Sequence, residues 1–125
     1  MAGYSTNIEQ DTLANDYFRK VLFTAPHMQL VLMALKPGED IGKEVHHDRD
    51  QFFRVETGVG EAIIDGESHA LEDGSVVVIP AGSEHNVVNT SESEVLRVYT
   101  IYAPPEHPDG TIHKTKAEAD AAHHD

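Results

Sequence analysis

Between Tyr17 and Tyr102 no apolar run is long enough, before a turn signal interrupts it, to form more than a short strand. The runs Tyr17–Thr24, Met28–Lys36, Lys43–His47, Gln51–Glu56, Gly60–Ile64, Ser68–Leu71, Ser75–Ile79, His85–Asn89 and Glu94–Tyr102 all read as β. They are separated by Ala25-Pro26, Pro37-Gly38-Glu39-Asp40, Thr57-Gly58, Asp65-Gly66, Glu72-Asp73-Gly74, Pro80-Ala81-Gly82 and Asn89-Thr90-Ser91-Glu92. Asp65-Gly66 between two β runs predicts a type I′ hairpin, whose central residues both need positive φ. Short strands at this spacing, with no long amphipathic helix between them, predict an all-β sandwich or barrel.

Length and charge narrow the possibilities. At 125 residues the chain has room for one domain and one core, and 39% hydrophobic residues suffice to build it. We expect a polar segment over 1–16 with a short helix near Ile8–Leu13, a β unit over 17–103, and a tail over 104–125. Pro104, Pro105 and Pro108 lack the donor a strand needs, and the Ala/Lys/Glu-rich stretch Lys114–Ala122 favours a short helix. The balance of 22 acidic against 9 basic residues gives a formal charge of −13, a field that repels phosphate backbones and anionic lipid. Nucleic-acid and membrane partners are therefore not expected. The absence of cysteine removes disulfides, thiolate ligands and a cysteine nucleophile. The first residues carry neither a basic nor an apolar leader pattern, so a cytoplasmic location is the expectation.

Potential metal ligands fall into two groups. Glu44-Val45-His46 places two ligand types at i and i+2, on one face of a strand, with His47 pointing the other way. Gln51 opens the next strand and shares its face with Phe53 and Val55. His85 follows the tight Pro80-Ala81-Gly82 turn. Gln51 and His85, arriving from separate strands, would complete a set of four nitrogen and oxygen donors. Glu44 as a solvated edge carboxylate and Gln51 as a structural amide are the competing readings. His47, Asp48, Arg49 and Asp50 read as a solvated loop. His107 and His113 lie in a segment that either folds back over the barrel mouth or remains an exposed tail, while His123 and His124 read as surface.

The spacing Gly74-x5-Pro80-x-Gly82-x2-His85-x3-Asn89 resembles the second motif of the cupin superfamily at every defined position. Glu44-x-His46-x4-Gln51-x6-Gly58 keeps the spacing of the first motif with two changed identities: Glu44 stands where a histidine is usual, and Gln51 where a glutamate is usual. The resemblance covers roughly residues 30–102. It implies a single double-stranded β-helix, the jelly-roll barrel, holding one divalent metal on Glu44, His46, Gln51 and His85, with Phe53 lining the pocket. Two imidazoles, one carboxylate and one amide keep the net charge of the usual set while making it richer in oxygen. Mn, Fe, Ni, Co or Zn would suit these donors, and Cu(I) would not. Four protein ligands on a six-coordinate ion would leave two positions for water or a bidentate small-molecule substrate. Because the fold does not fix the function, three readings follow: isomerase or tautomerase chemistry on a sugar-derived or otherwise oxygenated molecule, a non-haem metal dioxygenase, or a non-catalytic metal- or sugar-binding module. Exposed sheet edges give a reason to expect a homodimer.

Overall fold

The computed structural model describes residues 2–122, so His123 and His124 lie outside the described residues. Ten strands and two short helices follow one another as α1 (Ile8–Ala14), β1 (Arg19–Thr24), β2 (Gln29–Leu35), β3 (Glu44–Val45), β4 (Asp50–Thr57), β5 (Gly60–Ile64), β6 (Glu67–Leu71), β7 (Val76–Ile79), β8 (Glu84–Asn89), β9 (Leu96–Ala103), β10 (Ile112–His113) and α2 (Lys116–Ala122). Two antiparallel sheets face each other, ordered β10-β1-β2-β9-β4-β7 and β3-β8-β5-β6. This is the predicted jelly roll. Asp65 and Gly66 have φ of 49° and 84°, as the hairpin joining β5 to β6 requires.

Strict alternation builds the core. Along β4, Gln51, Phe53 and Val55 point inward; along β8 the inward set is His85, Val87 and Asn89; along β9 it is Leu96, Val98, Thr100 and Tyr102. These faces meet the nearly continuous apolar run of β2, from Val31 to Leu35. The polar residues on these inward faces are hydrogen-bonded or gathered at one end of the barrel. Asn89 is an example: its amide donates to the carbonyls of Leu35 and Glu94 and its oxygen accepts from the Ser91 N–H. It locks the β8–β9 turn in a place where an apolar residue would leave those backbone groups unpaired.

The segment beyond Ala103 is not an exposed tail. It turns back, adds β10 to the free edge of β1 through the pairs Arg19–His113 and Lys20–Ile112, and ends in α2. Gln29, fully buried, holds the turn: its amide nitrogen donates to Thr24 Oγ1 at 2.9 Å and to the His107 carbonyl at 2.7 Å, and its oxygen accepts from the N–H groups of Glu106 and His107. Helix α2 is fastened by buried Ala119 and by a Lys116–Asp40 ion pair of 3.4 Å. The expected solvated loop at 47–50 also needs correction. His47 and Asp48 are exposed, but Arg49 reaches across to the Pro105 carbonyl and the Glu106 carboxylate, and Asp50 begins β4 and accepts the Ala81 N–H at 2.9 Å.

Candidate metal centre

Three of the four predicted ligands form one cluster. Glu44, His46 and His85 each offer one ligand atom, and those atoms all lie within 4.8 Å of one another. Strand pairing produces this convergence. Glu44 is the direct cross-strand partner of His85. His46 follows two residues after Glu44, on the same side, and its carbonyl accepts the Gly82 N–H at 2.8 Å. That bond ties the Pro80–Gly82 turn, and the strand carrying His85, to the first ligand segment. The two imidazole rings lie 5.3 Å apart, centroid to centroid.

Two of the donor atoms, on His85 and Gln51, are oriented by a hydrogen bond made elsewhere on the side chain, and the third has a carboxylate nearby. His85 Nδ1 is 3.1 Å from the Ser83 carbonyl, which can only accept, so the proton sits on Nδ1 and the lone pair on Nε2. Gln51 donates from Nε2 to Thr100 Oγ1 at 3.0 Å, leaving Oε1 as an acceptor. His46 Nδ1 lies 3.6 Å from the Glu106 carboxylate, which Arg49 also grips. His46 Nε2, Gln51 Oε1 and His85 Nε2 are thereby left buried without a hydrogen-bond partner. Burying a polar atom unpaired costs roughly 1–3 kcal/mol, and several such atoms beside a carboxylate at one end of a barrel match the donor set of a divalent cation. The chemistry of the residues therefore fits the metal that the resemblance implied, and Gln51 presents the atom a fourth ligand needs.

Electrostatics agree with that assignment. Burial pushes the His46 imidazole below its ordinary 6.5; the Glu44 and Glu106 carboxylates pull it back up, and His85 and Arg49 add to the lowering. A neutral imidazole is the form that ligates. Burial, helped by the same two carboxylates, raises the Tyr102 phenol well above its ordinary 10, against the pull of Arg19 and the Gln51 amide. Tyr102 thus keeps its proton. Its ring packs edge-on to both His46 and His107, and its hydroxyl lies 3.3 Å from His107 Nε2.

Phe53 is buried in the core on the same strand face as Gln51, two residues deeper. Depressions of about 560 Å³ beside α1 and about 460 Å³ between β6 and β7 contain none of the ligand candidates. The space adjoining Glu44 is much smaller, about 30 Å³, lined by Phe18, Arg19, Ile41 and Glu44 and closed by His107 and α2. Sequence reasoning did not find Arg49, Glu106, Tyr102 or Arg19. The alternation of β9 would have separated inward Tyr102 from outward-leaning Tyr99; nothing local in the sequence brings Glu106 to His46.

The model of the cupin domain matches residues 31–102. The chain is 46% identical over 112 residues to the uncharacterised protein L612 of Acanthamoeba polyphaga mimivirus, covering 87% of this chain and 70% of that one. It is likewise 46% identical over 125 residues to the uncharacterised protein YrkC of Bacillus subtilis, covering 95% and 67%. The crystal structure of BH2720 from Bacillus halodurans superposes with a TM-score of 0.93 at 44% identity, over 96% of this chain and 95% of that chain.

Proposed function

We propose that this chain, which belongs to the cupin domain family, holds one divalent transition metal on Glu44, His46, Gln51 and His85 and acts on a small oxygenated molecule by isomerase or tautomerase chemistry. The observation that carries this reading is the set of three buried, unpaired donor atoms beside the Glu44 carboxylate. When bound, the metal would supply Lewis acidity, polarising a carbonyl and fixing two substrate oxygens.

The remaining work falls to the chain itself. Burial at the inner end of β9 keeps the Tyr102 hydroxyl protonated, available as a hydrogen-bond donor beside His107 Nε2. A phenol next to an imidazole is a pair between which a proton can be held and returned, the requirement for moving hydrogen between adjacent carbons. Arg49 fixes Glu106, whose carboxylate lies 3.6 Å from His46 Nδ1. The segment 104–113 and α2 cover this end of the barrel and restrict water.

Two histidines and one carboxylate also resemble the ligand set of non-haem iron oxygenases, which supports dioxygenase chemistry as a second reading. Elemental analysis of tag-free protein purified without added metal tests the metal, and oxygen uptake with a panel of small diketones and keto-sugars separates the two chemistries. Near-stoichiometric metal with substrate turnover and no oxygen uptake is the expected result. Oxygen consumption would favour the dioxygenase. Protein that neither carries nor takes up metal would sink both and leave a binding module.

A further inference from the structure

Arg19 is the only Arg, Lys, Asp or Glu among the described residues that is buried, at 7% exposure. It begins β1 on the same face as buried Val21, so alternation turns its side chain inward. An internal guanidinium is costly unless a carboxylate neutralises it. This chain has 22 acidic residues to choose from, yet the ion pairs among the described residues leave Arg19 out. The hydrogen bond and the ring contact that it makes are both with uncharged groups. Nη1 lies 3.1 Å from His113 Nδ1, and the guanidinium sits 5.4 Å from the centroid of the Phe18 ring. Its Nε is buried with no partner.

The same side chain lines the small cavity that Glu44 also lines. That space thus brings together a candidate metal ligand, a cation that takes part in no ion pair among the described residues and, from α2, the Asp120 carboxylate on the rim. We infer that Arg19 is the recognition residue for a carboxylate on the substrate, so that the molecule this site accepts is a small 2-oxo or 2-hydroxy carboxylic acid. The inference rests on the metal-site reading above and adds a substrate class to it.

The shape of the group argues for a carboxylate in particular. With Nη1 engaged by His113, the edge formed by Nε and Nη2 is the one left to a ligand, and two parallel N–H donors match the two oxygens of a carboxylate. The cavity, at about 30 Å³, has room for about two water-sized atoms, which suits a planar two-oxygen group better than a tetrahedral phosphate. His113 and Phe18 hold the guanidinium plane in place before any ligand arrives, so little freedom is lost on binding. The chain's overall negative field opposes an anion's approach, and that opposition falls within a Debye length of about 8–10 Å as salt screens it. Only a local cation inside the barrel can outweigh it.

The test uses pyruvate, its neutral counterpart hydroxyacetone, and inorganic phosphate, each titrated calorimetrically into the full chain with manganese added and again with chelator present. Metal content is measured separately. Wild-type protein should prefer pyruvate over hydroxyacetone by about tenfold or more, the worth of a charge-assisted bond. Arg19→Gln should erase that preference while metal content stays unchanged, and Arg19→Lys, which keeps charge without the fork, should fall between. If Arg19→Gln does not fold, the lysine variant decides alone: full retention of the wild-type preference overturns the bidentate assignment. Equal binding of pyruvate and hydroxyacetone to wild type, an unchanged preference in Arg19→Gln, or phosphate binding as tightly as pyruvate would each overturn the inference. Failure of the metal reading would look different: no metal uptake, with Arg19-dependent pyruvate binding surviving in chelator.

Discussion

Glu44 and His85 face each other directly across the β3–β8 pair, so the position of each candidate ligand is set by the backbone of the other's strand. The two residues are far apart in sequence, and a one-residue slip in register would turn both away from the cluster. With His85 Nδ1 held at the Ser83 carbonyl, the pair is preorganised before a cation enters.

From this relationship we expect Glu44→Gln to be informative. It preserves shape and β pairing while removing only the negative charge. Metal affinity, measured by chelator competition, should fall by more than the ~10–100-fold that outer-shell partners typically cost, with the circular dichroism spectrum unchanged. His85→Ala should lose metal to a similar degree. Unchanged metal content in both variants would mean that the ligands lie elsewhere.

Glu106 tests the next layer outward. Its carboxylate sits 3.6 Å from His46 Nδ1 and is gripped by Arg49, an arrangement that raises the basicity of the opposite ring nitrogen. Glu106→Gln should weaken metal binding by about 10–100-fold without changing the number of ions bound. A variant with wild-type affinity would show that the contact only packs the returning segment.

Gln29 lets the same segment be perturbed from a distance. Gln29→Ala leaves the N–H groups of Glu106 and His107 and the His107 carbonyl without the partners they have now. Each group left buried and unpaired costs about 1–3 kcal/mol, so the segment should loosen instead of paying that cost in place. Proteolysis within residues 104–110 should accelerate, and metal affinity should drop toward that of Glu106→Gln. Cleavage at the wild-type rate would show that other contacts hold the turn.

The barrel was legible in the sequence because its code is local. Alternation and turn residues located nine strands, and Asp65-Gly66 identified its hairpin by conformational need. The convergence of Glu44, His46 and His85 was legible for the same reason, since i, i+2 spacing and motif spacing are short-range properties. Strand β10 was not, because two residues flanked by Pro108, Gly110 and a short helix carry no periodicity and owe their pairing to the free edge of β1. Glu106 and Arg49 owe their roles to tertiary contacts with partners 60 and 57 residues away in the chain (106 − 46 and 106 − 49). Nothing in the run Tyr17–Thr24 sets Arg19 apart; only the packing around it shows a buried cation in no ion pair among the described residues.

A steric test of the barrel wall is available at Gly60. An added Cβ would lie 2.5 Å from the Val88 carbonyl oxygen and 2.9 Å from Leu96 Cδ2. Gly60 is paired with Leu71 on one side and Asn89 on the other, so the strand cannot shift to make room without breaking two ladders. Gly60→Ala should cost about 1–3 kcal/mol, the usual range for overpacking, read as a lower urea midpoint. A loss under ~0.5 kcal/mol, the size of an ordinary surface change, would show that the sheets part more easily than their pairing suggests.

Acid should destabilise the returning segment through His113. Burial lowers its pKa from the ordinary 6.5, and neighbouring Arg19 lowers it further, while Glu118 pulls the other way. Arg19 donates to Nδ1, a bond that protonation of that nitrogen would abolish. The unfolded chain therefore binds this proton more readily than the folded one, so the contribution is fully present above about pH 6.5 and is lost as pH falls from there through the lower folded value. His46 shifts in the same direction, so the informative quantity is a difference between proteins. Urea midpoints measured with chelator present should fall from pH 7.5 to pH 5 in wild type and fall less in His113→Gln, whose amide oxygen can still accept from Arg19. Parallel curves for the two proteins would show that the acid sensitivity arises at other histidines.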